Sequence, residues 1–190
     1  MSKVTISITA LFCLLNTAFV WGTDWQSSPT DSHLYFAPSY EGMPINGHFK
    51  QFSVSYQTDQ QSQPSRLKVK VAIASADMGN SDINEAIRAV DWFNIANFPE
   101  AIFISEEFVT DTQGKLLAIG TLQLKGFVQP VTVPISWQSL PGGKAKMTGE
   151  LLVGRNDFSI GSGEWASGEQ IGLAVKIWFD VVFIASEIDL

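Results

Sequence analysis

The chain has one cysteine, two histidines and no familiar catalytic or metal-binding motif. The cysteine, Cys13, lies in an apolar N-terminal segment, so the remainder of the chain offers neither a disulfide nor a thiolate. His33 and His48 are spaced from Asp31 and Glu41 in no pattern typical of a metal site, and we interpret them as surface or strand-end residues. G-x-S-x-G, H-E-x-x-H and P-loop motifs are also missing, which argues against the enzyme classes that use them.

Charged side chains are scarce, and they form no basic stripe. Asp, Glu, Lys and Arg make up 16% of the residues, whereas about 25% is typical of globular domains. The formal net charge is −7, which argues against a nucleic-acid partner. Hydrophobic residues reach 45%. This excess is compatible with an apolar pocket, although a dense core would produce it too.

Residues 1–22 are predicted to form a signal peptide that is cleaved after Gly22. Lys3 precedes a mostly apolar run from Val4 to Val20, and the residues before the cleavage point suit signal peptidase. A membrane anchor is the less favoured alternative, because Ser7, Thr9, Asn16 and Thr17 are among the polar residues that interrupt a run that would need about 20 apolar residues. The mature chain, residues 23–190, is then expected to be a single periplasmic domain, and the loss of Lys3 takes its formal charge to −8.

The hydrophobic pattern of the mature chain is mostly that of β-strands. Apolar residues alternate with other residues along the segments RLKVKVAIA, VQPVTVPISW and IGLAVKIWFDVVFI. About eight such strands with hairpin-length connections predict an antiparallel barrel or sandwich, and periodicity alone does not choose between them. Phe49 and Phe52, three residues apart, indicate a bulge between them.

One segment, SDINEAIRAV, predicts a short helix near residues 82–90. Asp82 is its expected N-cap, and Glu85 would complete a capping box. After this helix, Trp92, Phe93, Phe98 and Phe103 gather where the chain enters the next strand. These rings could close one end of a cavity and touch a ligand, or they could be ordinary core.

Polar side chains offer few candidates for chemistry. Glu106 and Glu107 are adjacent on a strand, so they point to opposite faces and cannot both enter one cavity. Arg155 and Asp157 are both expected near the rim of a barrel. Turn-fixing hydrogen bonds or an ion pair is the default interpretation of this pair, and a contact with a ligand head group is the alternative.

Several segments, taken in order, resemble the YceI-like family of secreted polyisoprenoid-binding proteins. They include GHFKQF, GTLQLKGFVQPVTVPISW and GRNDFSIG, and the resemblance extends over about residues 30–184. It implies an all-β fold, an extended eight-stranded antiparallel lipocalin-like barrel that holds an isoprenoid chain in its lumen. It also implies a binding role without catalytic residues, metal or cofactor other than the bound lipid, and members of the family are often dimeric.

We therefore expect a periplasmic carrier of a polyprenol or an isoprenoid quinone, with possible homodimers and transient contact with a membrane. An enzyme acting on such a lipid, or a stress-response interaction module that binds a fatty acid or another amphiphile, remains an alternative. Apolar side chains are expected to line the lumen or its entrance, and Arg155 and Asp157 are the head-group candidates. The apolar candidates are Phe36, Phe49, Val69, Val71, Ile73, Trp92, Phe93, Phe98, Phe103, Val133, Ile135, Trp137, Phe158, Leu173, Val175, Ile177 and Phe179.

Overall fold

The structure is a computed structural model that describes residues 22–186. Strands account for most of them, as the alternating pattern predicts. The strands are β1 (Asp24–Ser27), β2 (His33–Ala37), β3 (Ser39–Tyr40), β4 (Met43–Pro44), β5 (Gly47–Phe49), β6 (Phe52–Thr58), β7 (Pro64–Ala72), β8 (Ala76–Asp77), β9 (Glu100–Thr110), β10 (Leu116–Leu124), β11 (Phe127–Leu140), β12 (Lys144–Gly154) and β13 (Ala174–Ala185). The helical segments are α1 (Ser81–Ala86) and 3-10 turns at Ile73–Ser75, Arg155–Phe158 and Gly163–Trp165.

Eight strand positions close into a ring. Hydrogen-bonded neighbours follow the order β1–β6–β7–β9–β10–β11–β12–β13, and β13 pairs with β1 to complete the circle. The short strands β2, β5 and β8 also join this sheet. β13 pairs with β2, β2 pairs with β5, and β5 pairs with β8. The predicted eight-stranded antiparallel barrel is confirmed. Each of the eight strands of the ring therefore pairs on both sides.

The predicted irregularity between Phe49 and Phe52 is present. Lys50 and Gln51 form a bend between β5 and β6, so that both phenylalanines face the lumen. The pairing with the neighbouring segment continues through the bend, because Lys50 N donates to Ser75 O and Gln51 O accepts from Ala72 N. The bend therefore changes the alternation without opening the barrel wall.

The structure contains the single short helix that the sequence predicts, but its capping differs. Asn80 is the N-cap, and its Oδ1 accepts from the amides of Asp82 at 2.9 Å and Ile83 at 3.1 Å. The prediction of Asp82 as N-cap is wrong, because Asn80 already satisfies the first free amides of the helix. Helix α1 ends at Ala86, and turns continue the chain through the residues predicted to be its last turn.

The two halves of the barrel lumen differ in how they are filled. At one end lies an aromatic plug, which we define as Trp25, Tyr56, Trp137 and Phe183. The ring centroid of Trp137 lies 5.3 Å from that of Trp25, 4.7 Å from that of Tyr56 and 5.4 Å from that of Phe183. Ala118 and Ala145, both at most 1% exposed, share this buried cluster with the plug. The other half of the lumen is hollow.

The expected signal peptide lies outside the described residues apart from Gly22. Between residues 22 and 186, no helix is long and apolar enough to cross a bilayer.

Candidate functional site

The hollow half of the barrel encloses an apolar cavity of about 450 Å³. This size lies within the range of roughly 300–1,000 Å³ that is usual for small-molecule sites. Its wall consists almost entirely of apolar atoms from the inward-facing positions of the strands. A wall of this kind binds an apolar chain well and offers almost nothing to a polar group.

Most of the predicted ligand-contacting residues lie on the wall of this cavity. Their contact with a ligand remains a prediction. The candidates on the wall are Phe36, Phe49, Val69, Val71, Ile73, Trp92, Phe93, Phe103, Arg155, Phe158, Val175, Ile177, Phe179 and Val133.

Ile135 and Trp137 share the inward face of β11 with Val133 but do not reach the cavity. Ile135 is only 1% exposed in the cluster around the aromatic plug, and Trp137 belongs to the plug itself. The structure therefore places both in the filled half of the lumen, because periodicity indicates the face on which a side chain lies and not its depth along the barrel, and their contact with a ligand remains a prediction.

Three other candidates lie outside the cavity. The Phe98 ring covers Gly126, where an added Cβ would come within 2.8 Å of it. Leu173 precedes β13, is 37% exposed and packs against Gly168. Asp157 is exposed, and its backbone oxygen accepts from Gln129 Nε2 at 2.9 Å. None of the three lines the cavity, and their contact with a ligand remains a prediction.

Arg155 lies on the cavity wall but has no N–H group free for a ligand. It is 3% exposed, and all five of its N–H donors find backbone carbonyls. Burial lowers the pKa of this guanidinium from its usual value. The structure therefore contains the default interpretation, turn-fixing hydrogen bonds, which occupy the N–H groups that a ligand head group would need. The acceptors are Gly172 O at 3.0 Å from Nε, Ile160 O at 2.7 Å and Gly161 O at 3.0 Å from Nη1, and Trp165 O at 2.5 Å and Ile171 O at 2.8 Å from Nη2.

Chain segments that we call the cover form the mouth of the cavity. The cover comprises residues 38–45, helix α1, residues 87–95 and the loop 159–172, each of which contributes side chains to the cavity wall. Two indole rings meet inside it, with the centroids of Trp92 and Trp165 5.9 Å apart. The guanidinium of Arg155 lies 5.8 Å from the centre of the Trp92 ring.

Polar contacts hold the cover on the barrel. Lys125, 8% exposed, donates from Nζ to Ser159 O at 2.6 Å and to Asp91 O at 3.4 Å, which ties two cover segments to the β10–β11 turn. Burial lowers the pKa of Lys125, and the nearby Asp91 carboxylate partly opposes that shift. The cover is therefore a defined structure.

Helix α1 has its own attachment to the barrel. Asn84 Nδ2 donates to Asp77 Oδ1 at 2.9 Å, and Met78 N donates to Asn84 Oδ1 at 2.7 Å. The hydrogen bond from Lys50, followed by those from Asn84 and the Gly79 amide, holds the pKa of Asp77 well below its usual range. The end of β8 thus anchors the helix over the cavity.

Sequence reasoning missed several wall residues. Trp165 lies in the segment GSGEWASGE, which reads as a hairpin loop, and Ile83 and Ile87 lie on the helix. A large aromatic residue inside a glycine-rich polar loop was the signal that could have indicated Trp165. Met147 was missed because its strand segment, AKMTGELLV, has a mixed pattern.

Ionisable residues do not gather at this site. In the part of the chain that the structure describes, no three His, Cys, Asp or Glu side chains are grouped so that they could hold a metal ion. His33 is exposed at the first residue of β2, whereas His48 is half-buried at the middle residue of β5.

The chain belongs to the YceI-like family, whose domain model matches residues 25–183. A UPF0312 protein of Azotobacter vinelandii is 25% identical over 187 residues, which cover 93% of this chain and 97% of that protein. The crystal structure of BcnA from Burkholderia cenocepacia superposes with a TM-score of 0.76 at 26% identity, covering 82% of this chain and 98% of BcnA. A polyisoprenoid-binding domain from Saccharophagus degradans has the same fold, with a TM-score of 0.67 and 17% identity over 85% of this chain and 98% of that domain.

Proposed function

We propose that this protein is a carrier that binds an isoprenoid lipid, a polyprenol or an isoprenoid quinone, with the chain of the lipid inside the barrel. The observation that carries the proposal is the enclosed cavity of about 450 Å³ with an almost wholly apolar wall. Each Å² of apolar surface that leaves water contributes about 25 cal/mol, so a hydrocarbon chain supplies most of the affinity by itself. The polar head group then lies at the mouth, near the cover.

Fold similarity favours an isoprenoid over other apolar ligands. The Saccharophagus degradans domain that shares this fold is a polyisoprenoid-binding domain. A fatty acid would also find an apolar wall here. We prefer the branched isoprenoid chain because the related fold points to it, whereas the apolar cavity suits either ligand.

The proposed compartment is the bacterial periplasm. The N-terminal segment has the pattern of a signal peptide, and the mature chain would contain no cysteine. Pairing with the barrel starts directly after the proposed cleavage point, since Thr23 O accepts from Thr58 N at 3.0 Å. Cleavage after Gly22 would therefore leave the barrel strands intact.

The first experiment is organic extraction of the mature protein, purified from its own host without detergent, followed by mass spectrometry of the extract. One isoprenoid species at a stoichiometry near one per chain is the expected result. An empty cavity, or a random mixture of amphiphiles, would overturn the carrier proposal and favour an interaction module. Incubation of the protein with the extracted lipid should leave the mass of the lipid unchanged, whereas an enzyme that acts on the lipid would convert it to a product of different mass.

Two matched phenylalanine variants test whether the cavity is the binding site. Phe93 lies on the cavity wall, whereas Phe127 is 45% exposed at the start of β11 and does not line the cavity. We expect Phe93→Ala to weaken the binding of geranylgeraniol about tenfold through lost apolar contact, and Phe127→Ala to leave the affinity unchanged. Equal affinities, measured by tryptophan fluorescence titration of folded variants, would show that Phe93 is core alone.

A further inference from the structure

The cavity ends inside the barrel, against the aromatic plug. Three residues at this end line the cavity and are almost fully buried: Met147 is 1% exposed, and Leu67 and Val181 are each 2% exposed. We call these three residues the floor. The plug residues Tyr56 and Phe183 belong to the same buried cluster but do not line the cavity. The floor is thus the boundary between the hollow and the filled half of the lumen.

Met147 occupies the middle of this boundary. Its Cα pairs with that of Trp137 on β11 and with that of Val181 on β13. It therefore has a plug residue on one side and a floor residue on the other. An unbranched thioether side chain fills irregular space well, and its length here determines how far the hollow half extends toward the plug.

The plug below Met147 has little room to move. Its rings contact one another on several sides, with 4.7 Å between the centroids of Tyr56 and Trp137 and 6.3 Å between those of Tyr56 and Phe183. Protein interiors packed in this way resist the insertion of additional atoms. A ligand chain that reaches the floor cannot continue, so any further length must remain at the mouth or in water.

We propose that the floor limits the length of the isoprenoid chain that the cavity accepts, and that Met147 sets this limit. The inference rests on the proposed function, because it concerns the chain of the same ligand. Affinity rises with each isoprene unit that enters the cavity and stops rising once the chain reaches the floor, since further units bury no additional surface inside the protein.

The test uses the mature protein, freed of lipid, and four isoprenoid alcohols of increasing length: geraniol, farnesol, geranylgeraniol and solanesol. The dissociation constant of each is measured for the wild type and for Met147→Ala. The wild-type affinity should rise along the series and then level off. Met147→Ala deepens the cavity, so its affinity should level off at a longer alcohol than in the wild type. The shortest alcohol that exceeds the wild-type limit should bind the variant about tenfold more tightly than it binds the wild type.

Met43→Ala is the matched control, because Met43 is 73% exposed on β4 and does not line the cavity. It should leave the length profile unchanged. Val181→Ile is a second variant that keeps the core filled. It adds a methyl group at the floor, so the levelling should move to a shorter alcohol.

An unchanged length profile in folded Met147→Ala would overturn the role of Met147, and an unchanged profile in Val181→Ile as well would overturn the floor as a limit. A wild-type affinity that keeps rising from geraniol through solanesol would also overturn the floor as a limit. A wild type that binds none of the four alcohols would instead overturn the carrier function itself, and the two failures are therefore distinguishable.

Discussion

Arg155 carries a full positive charge at a position that is only 3% exposed. A buried charge is costly unless hydrogen bonds or an opposite charge compensate for it. Here the compensation comes from five backbone carbonyls, all of them in the loop 159–172. A single side chain therefore fixes the path of a long loop, and through it the position of Trp165 on the cavity wall.

Arg155→Lys should destabilise the protein by about 2 to 4 kcal/mol, because a lysine ammonium cannot reach five carbonyls in a fork and leaves several of them unpaired. Urea unfolding measures the change in the free energy of unfolding. Arg66→Lys is the matched control, since Arg66 pairs with Glu106 at an exposed position, and it should change stability by less than about 0.5 kcal/mol. Equal effects of the two substitutions would refute the special role of Arg155.

Helix α1 depends on its contacts with the barrel for stability. A helix of six residues, none of them buried, is too short to be stable in isolation. Its cap at Asn80, the bond from Asn84 to Asp77 and the apolar contact of Ile83 with the cavity keep it in place. We therefore expect the cover to open more readily than the barrel beneath it.

Asn80→Ala tests this difference in local stability. Loss of the N-cap costs about 1 kcal/mol, which should speed the hydrogen exchange of the α1 amides about fivefold. The barrel amides should keep their protection. Asn156→Ala, at an exposed position outside α1, is the control and should leave α1 exchange unchanged. Slower or unaltered exchange of α1 in Asn80→Ala would contradict the capping argument.

At the scale of the whole molecule, the aromatic plug connects strands from different parts of the ring. Tyr56 on β6 meets Trp137 on β11, Phe183 on β13 and Phe108 on β9. Its burial raises the pKa of the Tyr56 phenol to about 12 from the usual 10.0. The phenol of Tyr56 therefore ionises at a higher pH in the folded barrel than in the unfolded chain.

This raised pKa predicts a loss of stability at alkaline pH. Below pH 10 the phenol of Tyr56 is protonated in both states and has no effect. As the pH rises from 10 toward 12, the unfolded state loses the proton first, so stability falls by about 1 kcal/mol at pH 11. Tyr56→Phe should remove this component, and urea unfolding at pH 9 and 11 measures it. The same pH dependence in both proteins would show that Tyr56 is not its cause.

The sequence by itself determined much of the barrel. Alternation predicted the antiparallel strands and the inward direction of Val133, Ile135 and Trp137, and the spacing of Phe49 and Phe52 predicted the bend between β5 and β6. These features depend on local backbone geometry. Because side chains of a strand alternate between its two faces, the sequence itself shows which residues share a face.

Only the tertiary structure decided where the lumen is hollow. Val133 lines the cavity while Ile135, two residues further along the same face, is enclosed by the core. The difference depends on the stagger of each strand against its neighbours and on the side chains that pack from the opposite wall of the barrel. The sequence of a single strand determines neither of these. For the same reason the partners of Arg155 could not be read in advance, since they are backbone carbonyls that only the folded loop brings together.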